Sequence, residues 1–290
     1  MPELPEVETI KLFLANKIPG LKVIKVEILN PKSFIGDYKL ILDKEIKSIE
    51  RRAKVLRIQF EDNELLIHLK MSGQLIWEKN YESRIKGGGF AGGHPTKDMN
   101  LEMPNKSTRV IFCLSDGSKL FFNDQRKFGW IRLMDHDSSI MGHDFFAKVG
   151  PEPLEDGFTW QILKKRLLAR KKTAIKIALL NQEVVAGVGN IYACEACFIA
   201  GIDPRKKVSD LEERDFRSLY EGIITSLITG IKYGGSTRSH FIDPSGKKGQ
   251  FLDYAFVYAR ENKECRHCGE VIKKIKLGGR GTYYCENCQK

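Results

Sequence analysis

The first residues of the chain combine a potential nucleophile with a carboxyl group. Pro2 follows the initiator methionine and Glu3 follows Pro2. Removal of the methionine, which a small second residue favours, would make Pro2 a terminal secondary amine. An α-amino group titrates near 8, against about 10.4 for lysine, so much of it is unprotonated at neutral pH. Such an amine can attack an aldehyde-like carbon to form a cationic iminium, and Glu3 can transfer protons beside it.

The same stretch also has the pattern of a helix start. Pro5 suits a first helical turn, and the apolar residues Val7, Ile10 and Leu14 recur at helical spacing. Both interpretations hold together, because a helix would fix the amine in place. The elements that follow must then position this helix.

Two Cys-x2-Cys pairs lie near the end of the chain, with sixteen residues between them. This spacing predicts a zinc site with four thiolate ligands: Cys265, Cys268, Cys285 and Cys288. Because every ligand position is a thiolate, none is open for water, and the single zinc ion would be structural. The odd total of seven cysteines and the lack of a secretory signal favour a reducing compartment. Cys194 and Cys197 have no further ligands nearby and are interpreted as packing residues.

The charge of the chain indicates an anionic partner. Its net charge is +11 and its isoelectric point about 9.2, a balance that most often indicates nucleic acid. Residues 164–176 contain seven lysines and arginines, Lys171 among them, and no acid. Such a run is usually a solvated face, but here it is interpreted as a phosphate-binding surface. No apolar run reaches the roughly 18 residues of a membrane span, and without a signal peptide we expect a cytoplasmic, nucleoid-associated protein.

Most of the first half is predicted to be β-structure. Short β-like runs separated by turn residues predict a sandwich or barrel with the first helix packed on it; they cover residues 23–29, 45–49, 55–60, 65–69, 75–77, 110–114 and 119–122. Residues 81–107 include a glycine-rich stretch, 86–93, and are predicted to be a surface loop. Residues 150–155 are predicted to be an interdomain linker followed by helices.

The second half contains several turn and cap signals. Glycines at 187 and 189 precede Asn190, which is predicted to cap a helix whose N-terminus binds phosphate. Residues 209–212 have the pattern of a capping box, and residues 234–249 of a surface loop. Between the two cysteine pairs, residues 278–284 predict a β-hairpin with Arg280 at its tip.

Three of these motifs together resemble the formamidopyrimidine-DNA glycosylase family: PELPEVET after Met1, HLKMSG at residues 68–73 and VGNIY at residues 188–192. The resemblance extends from Pro2 to Lys290. It implies a bifunctional DNA glycosylase and apurinic/apyrimidinic lyase of base-excision repair. The implied reaction removes 8-oxoguanine and formamidopyrimidines from duplex DNA through a Schiff base on Pro2, followed by β- and δ-elimination.

The resemblance also implies a fold and a domain order. The fold class is α+β, with an N-terminal β-sandwich led by a helix, a helical domain containing a helix–two-turn–helix, and a zinc-ribbon β-hairpin. The predicted domains are residues 1–149, a linker at 150–155, a DNA-binding domain at 156–255 and a zinc finger at 256–290. The partner is double-stranded DNA containing oxidised bases or abasic sites, bound by a monomer.

Particular residues acquire roles from the resemblance. Beside Pro2 and Glu3, Lys54 would assist proton transfer, and Arg280 would hold the phosphate next to the lesion and assist the second elimination. Met71 and Phe128 would fill the gap left by the extruded base while Arg126 faces the orphaned base. The other residues expected to bind DNA are Arg109, Lys171, Asn190 and Tyr258.

The chain departs from the family pattern at two places. Ser107 stands where the family often has a histidine that contacts DNA, and Ser239 stands where a basic residue is common. Two alternatives remain open. One is an endonuclease VIII-like glycosylase for oxidised pyrimidines, against which Leu4 and the long stretch after Gly235 argue. The other is a zinc-ribbon DNA-binding protein without catalysis, which would leave Pro2 and Glu3 unexplained.

Overall fold

The chain separates into two compact units, Met1–Phe145 with Gly234–Gln250 and Phe146–Tyr233 with Phe251–Lys290. The computed structural model describes residues 1–79, 89–94, 101–135, 146–236 and 249–290.

The first unit contains a β-sandwich and, among its described residues, the α-helix α1 (Leu4–Ala15). Its strands in the described ranges are β1 (Val23–Ile28), β2 (Phe34–Ile35), β3 (Ser48–Arg52), β4 (Val55–Gln59), β5 (Asn63–His68), β6 (Gly73–Glu78), β7 (Gly89–Gly93), β8 (Thr108–Leu114), β9 (Lys119–Asp124) and β10 (Trp130–Asp135). One sheet has the order β1-β8-β9-β6-β7 and the other the order β2-β10-β5-β4-β3.

Alternation of apolar residues explains the sandwich. Side chains of successive strand residues point to opposite faces, so Phe112 of β8 and Ile58 of β4 enter one core between the sheets. Ile10 of α1 joins the same cluster, because α1 packs against β3, β4 and β7. The predicted sandwich is therefore confirmed, although the patterns did not predict β2 and β10.

The prediction of a loop across the glycine-rich stretch is wrong for Gly89–Gly93, which forms edge strand β7 paired with β6. A Cβ atom at Gly92 would lie 2.4 Å from Cγ1 of Ile10, so glycine lets α1 lie directly on the strand. Phe90, buried, stacks on Phe13 of α1 with ring centroids 4.0 Å apart. Close packing, rather than strand propensity, explains the glycines. The rest of the predicted loop lies partly outside the described residues, at 80–88 and 95–100.

The second unit is helical and ends in a hairpin. Its described elements are α2 (Trp160–Leu168), α3 (Ile175–Leu179), α4 (Asn190–Ile199), α5 (Glu213–Lys232), α6 (Phe251–Tyr254), β11 (Lys273–Leu277) and β12 (Arg280–Tyr284). Helices α4 and α5 pack closely, since a Cβ atom at Gly222 would lie 2.5 Å from the carbonyl oxygen of Ala196. Among the helices of the described ranges, none has both the length and the apolar composition needed to cross a bilayer.

Two predicted helix starts are wrong by a few residues. The N-cap of α4 is Gly189, and Asn190 is the first helical residue, because its side chain is used in contacts elsewhere. Helix α5 begins at Glu213 with a capping box between Glu212 and Asp215. The expected box at residues 209–212 does not form, because Val208–Asp210 is a 3₁₀ turn.

Candidate active site and zinc centre

The N-terminal residues are buried at the start of α1. Pro2 and Glu3 are both buried, and Glu3 and Glu6 form a capping box. The Glu3 backbone N–H donates to Oε2 of Glu6 over 2.8 Å. The Glu6 carboxylate therefore fixes the backbone directly after Pro2 at the start of α1; the roles of Pro2 and Glu3 stay predictions.

Glu6 also connects this helix start to a distant segment of the same unit. The backbone N–H of Ser236 donates to Oε1 of Glu6 over 2.9 Å. At Gly235, where φ is +83°, a Cβ atom would lie 3.0 Å from the same carboxylate oxygen. One carboxylate thus holds both Glu3, the residue after Pro2, and the beginning of the predicted loop. The rest of that loop, residues 237–248, including the departure at Ser239, lies outside the described residues.

Lys54 lies in the two-residue connection between β3 and β4 and is buried. Its neighbour Ala53 has φ +53°, and Nη1 of Arg51 donates to the Ala53 carbonyl oxygen. Arg51 also pairs with Glu8 of α1, Nε to Oε2, at 2.7 Å. This pair ties the hairpin that carries Lys54 to the helix that carries Pro2.

His68 lies close enough to Lys54 for the lysine charge to affect its pKa. Burial, followed by the positive charges of Lys70 and Lys54, lowers the pKa of His68 to about 3. The imidazole is neutral, and its Nδ1 accepts the Lys70 backbone N–H over 2.9 Å. Lys54 is therefore within electrostatic range of the strand end that leads into the Met71 turn.

The residues expected to fill the DNA gap occupy two turns of this unit. Met71 is half-buried in the turn between β5 and β6, and Arg126 and Phe128 are exposed in the turn between β9 and β10. The Arg126 guanidinium lies 4.9 Å from the centre of the Phe128 ring. A cation over an aromatic face is attracted by its quadrupole, so these two side chains support each other at the surface.

Arg109 is held by backbone carbonyl groups. Its Nε donates to the carbonyl oxygen of Asp124 over 2.9 Å, and its Nη1 to that of Lys106 over 2.9 Å. Ser107 is buried, so the hydroxyl group at the departure from the family pattern faces the interior.

His94, which sequence reasoning missed, is half-buried at the end of β7. Burial, then the N-terminal amine and Arg126, lower its pKa. The His94 imidazole therefore lies within electrostatic range of both the N-terminal amine and the Arg126 guanidinium.

In the second unit, Asn190 connects two elements. Its Oδ1 accepts from Nζ of Lys176 over 2.5 Å, and its Nδ2 donates to the carbonyl oxygen of Gly281 over 2.9 Å. Lys176 is completely buried, whereas Lys171 is exposed. The basic run therefore divides into a surface part and one internal lysine, a division that the charge pattern alone did not predict. Through its second bond Asn190 holds Gly281, the hairpin residue that directly follows the exposed Arg280.

Tyr258 lies on a segment that one buried carboxylate organises. The Glu195 side chain, 1% exposed, accepts the backbone N–H groups of Phe256, Val257 and Tyr258 over 2.8–3.0 Å. Burial raises the pKa of Glu195, and these three hydrogen bonds oppose that rise. Helix α4, which carries Glu195, therefore fixes the segment that precedes the cysteine hairpin.

The four predicted cysteines converge. Their Sγ atoms all lie within 4.8 Å of one another, with Cys265 and Cys288 at 3.9 Å and Cys268 and Cys285 at 3.5 Å. Tetrahedral zinc with Zn–S bonds of about 2.3 Å requires sulfur atoms about 3.8 Å apart. The donor set and its spacing fit one structural zinc ion. No other group of three or more metal-binding side chains occurs in the described ranges.

Helices α3 and α4, joined by the turns at residues 180–189, together with a four-cysteine hairpin, define the class of helix–two-turn–helix DNA-repair proteins with a zinc finger. Three family models match: the formamidopyrimidine-DNA glycosylase N-terminal domain at residues 1–131, the formamidopyrimidine-DNA glycosylase H2TH domain at 149–241, and the zinc finger found in FPG and IleRS at 262–290.

Relatives match along the whole chain. The formamidopyrimidine-DNA glycosylase of Pelotomaculum thermopropionicum is 41% identical over 296 residues, covering 100% of this chain and 99% of that protein. That of Neisseria meningitidis serogroup A is 38% identical over 298 residues and covers 100% of both. The chain belongs to the formamidopyrimidine-DNA glycosylase family.

Solved structures agree. A complex of MutM with DNA containing carbocyclic 8-oxo-G is 33% identical, with a TM-score of 0.82 and 100% coverage of both chains. A complex of Lactococcus lactis Fpg with abasic-site DNA is 31% identical, with a TM-score of 0.83 and 99% coverage of each. The predicted family, fold class and structural zinc are confirmed, and the protein is a DNA glycosylase of base-excision repair with lyase activity.

Proposed function

We propose that this protein excises oxidised purines, 8-oxoguanine and formamidopyrimidines, from duplex DNA and cleaves the resulting abasic strand with Pro2 as the nucleophile. The observation that carries this proposal is the burial of Pro2 and Glu3 at a helix start that the Glu6 carboxylate fixes. The relatives named above carry the same activity in their names. The proposal requires removal of Met1, because only then is Pro2 an amine.

The geometry supports the following chemistry. The Pro2 nitrogen attacks C1′ of the extruded nucleotide while Glu3 protonates the sugar ring oxygen; the ring opens and the base leaves. The resulting iminium acidifies the C2′–H bond, so loss of that proton expels the 3′ phosphate. A second elimination expels the 5′ phosphate, and water then hydrolyses the iminium to release Pro2. Buried Lys54 would transfer protons in these steps, and Arg280 would stabilise the departing phosphate.

The DNA contacts are also proposals. Met71 and Phe128 would fill the space left by the base while Arg126 faces the orphaned partner, a use of apolar loop tips that base extrusion requires. Phosphates would bind Lys171, Asn190, Tyr258 and Nη2 of Arg109, the guanidinium nitrogen away from the loop carbonyls. Zinc would stabilise the β-hairpin that carries Arg280. The protein would act as a monomer on nucleoid DNA in the cytoplasm.

Borohydride trapping tests the catalytic proposal. The iminium is reducible, so zinc-loaded protein with a processed N-terminus should form a covalent adduct with an 8-oxoguanine duplex. Pro2→Gly and Glu3→Gln should lose most of the adduct, whereas Pro19→Gly, the same change four residues beyond the last residue of α1, should keep it. Failure of the wild type to form an adduct on either an 8-oxoguanine or an abasic duplex would refute the proposal.

Two further arms test the lesion class and the requirement for a free Pro2 amine. A preference for a thymine glycol duplex over 8-oxoguanine would indicate the endonuclease VIII-like specificity. A form that retains Met1 should bind the abasic duplex with unchanged affinity but form no adduct, because Pro2 is then an amide.

A further inference from the structure

Asp124, the last residue of β9, is a buried carboxylate at the junction of several turns, with 0% exposure. Its Oδ1 accepts from Oγ of Ser72 over 2.5 Å and from the backbone N–H of Arg126 over 3.1 Å. Its Oδ2 accepts from the backbone N–H of Gly129 over 2.6 Å. Three hydrogen bonds converge on this one side chain, and hydrogen bonds accepted by a carboxylate are stronger than those between neutral groups, so Asp124 is a strong local constraint.

The carboxylate holds both ends of the turn between β9 and β10. Arg126 and Gly129 bind its two oxygens, and the exposed Phe128 lies between them in sequence. A Cβ atom at Gly129 would lie 2.8 Å from Cζ of Phe122 and 3.1 Å from Oδ2 of Asp124. The turn closes this tightly only with glycine at that position.

Ser72 connects the turn between β5 and β6, which carries Met71, to the turn between β9 and β10. Its hydroxyl donates to Asp124 and accepts the Arg126 backbone N–H over 3.0 Å. Ser72 follows Met71 directly, and Gly73 is the strand partner of Asp124. The Met71 turn and the Arg126–Phe128 turn, 52 residues apart at these contacts, are therefore fixed to each other through one hydroxyl and one carboxylate.

The Asp124 backbone holds a third loop. Its N–H donates to the Ser107 carbonyl oxygen over 2.8 Å, and its carbonyl oxygen accepts from Nε of Arg109 over 2.9 Å. Met71, Arg126 and Phe128 thus lie on turns bonded to Ser72 and Asp124, and Arg109 of β8 is bonded to Asp124 directly.

We propose that Asp124, with Ser72, is a positioning residue that sets the gap-filling side chains in one arrangement and so determines the rate of base extrusion. This inference rests on the proposed function. Groups that act on a substrate must be held to within about 0.5 Å by their supporting contacts. Excision from an intact lesion requires the base to leave the stack, whereas a preformed abasic site has no base to extrude. The two substrates should therefore respond differently.

The test compares Ser72→Ala and Asp124→Asn with a matched control on another turn. Oδ1 of Asp116 accepts the backbone N–H of Ser118 over 2.9 Å and its hydroxyl over 2.6 Å, in the turn between β8 and β9. Ser118→Ala and Asp116→Asn thus remove the same chemistry away from the gap-filling turns. Single-turnover excision of 8-oxoguanine and cleavage of an abasic duplex are measured for each, with 2-aminopurine fluorescence beside the lesion reporting extrusion.

We expect Ser72→Ala to slow excision and the fluorescence change on the order of tenfold, as the loss of one such hydrogen bond predicts, and to change abasic cleavage less than about twofold. In a Met71→Ala background the Ser72 effect should largely disappear, which a general loss of stability would not produce. The control variants should keep the wild-type ratio of the two rates.

The inference would be overturned if Ser72→Ala left the ratio of the excision rate to the abasic cleavage rate unchanged. It would also be overturned if Ser118→Ala changed that ratio as much as Ser72→Ala does. If Asp124→Asn does not fold, Ser72→Ala alone decides, because it leaves the carboxylate and its bonds to Arg126 and Gly129 in place. These outcomes all presuppose a wild type that cleaves the abasic duplex; a wild type that does not would instead refute the proposed function.

Discussion

Replacing Gly92 with alanine tests whether the glycine-rich strand exists to let α1 approach the sheet. The added Cβ atom would lie 2.4 Å from Cγ1 and 3.0 Å from Cδ1 of Ile10, and 2.9 Å from Cζ of Phe90. Ile10 is fully buried and Phe90 is 2% exposed, so neither can move into solvent. Overpacking of a core costs about 1–3 kcal/mol, against a gain of about 0.5–1 kcal/mol from replacing a strand glycine. The expected net loss is about 1–2 kcal/mol.

That loss corresponds to a fall in Tm of about 2–8 °C for a unit of this size. Trp77 and Trp130 lie in the first unit and Trp160 in the second, so tryptophan fluorescence in a Trp160→Phe background reports the first unit alone. Because α1 carries Pro2, Gly92→Ala should also slow borohydride trapping at temperatures well below its Tm.

The matched control is Gly89→Ala on the same strand, where the Cβ atom would meet nothing closer than 3.3 Å; its stability should stay within about 0.5 kcal/mol of wild type. A double-mutant cycle with Ile10→Ala should show a coupling of about 0.5–3 kcal/mol. The reasoning is refuted if Gly92→Ala is as stable as wild type, if Gly89→Ala loses as much, or if the cycle is additive.

Other outcomes follow from buried polar groups. Because the folded pKa of His68 is about 3 and the unfolded value about 6.5, the stability that its neutral form provides is complete above pH 6.5 and falls by about 1.4 kcal/mol per pH unit towards pH 3. His68→Gln should therefore flatten the pH dependence of urea unfolding between pH 4 and 6. Lys176→Met should weaken binding to an abasic-analogue duplex about tenfold, because Asn190 loses a charged partner; fluorescence anisotropy measures this. Chelation of zinc should unfold the hairpin, since two isolated strands are marginal, and circular dichroism with a zinc indicator should report both events together.

Each of these outcomes has its own control. Ser115→Ala, an exposed change in the first unit that removes no titratable group, should leave the pH slope unchanged. Lys172→Met, an exposed neighbour in the same basic run, should leave the contacts of Asn190 intact. Cys113→Ser should retain one zinc per chain, because Cys113 lies outside the cysteine cluster. A steep slope in His68→Gln, equal losses in both lysine variants, or a folded hairpin without zinc would contradict the respective reasoning.

Local patterns predicted much of the fold. Alternating apolar residues and turns specify the two sheets, and the Cys-x2-Cys spacing specifies the hairpin, because these signals lie within a few residues of chain. The strand at Gly89–Gly93 did not follow from its sequence, since its stability depends on Ile10, about eighty positions earlier. Lys176 looked like one more surface charge, but it is buried and its ammonium group donates to Asn190, which lies fourteen positions later.

The same limit applies to the candidate site. The four cysteines could be predicted because the chemistry of a zinc site resides in residue type and spacing, whereas the roles of Pro2 and Glu3 stay predictions. Asp124 and Glu6 could not be predicted, because their importance comes from partners distant in sequence, Ser72 and Ser236. The zinc ligands were thus easier to predict than residues that hold other residues in place.

The bond between Glu6 and Ser236 also bears on how this architecture can be inherited. Residues 234–250 group with the first unit, yet the second family match extends to residue 241 and so ends inside that segment. A recombination that exchanges the first 145 residues between two relatives would pair Glu6 with the other relative's segment in place of the Ser236 that it binds here. Viable hybrids should therefore be those that transfer residues 234–250 together with the N-terminal half, as one discontinuous unit of exchange.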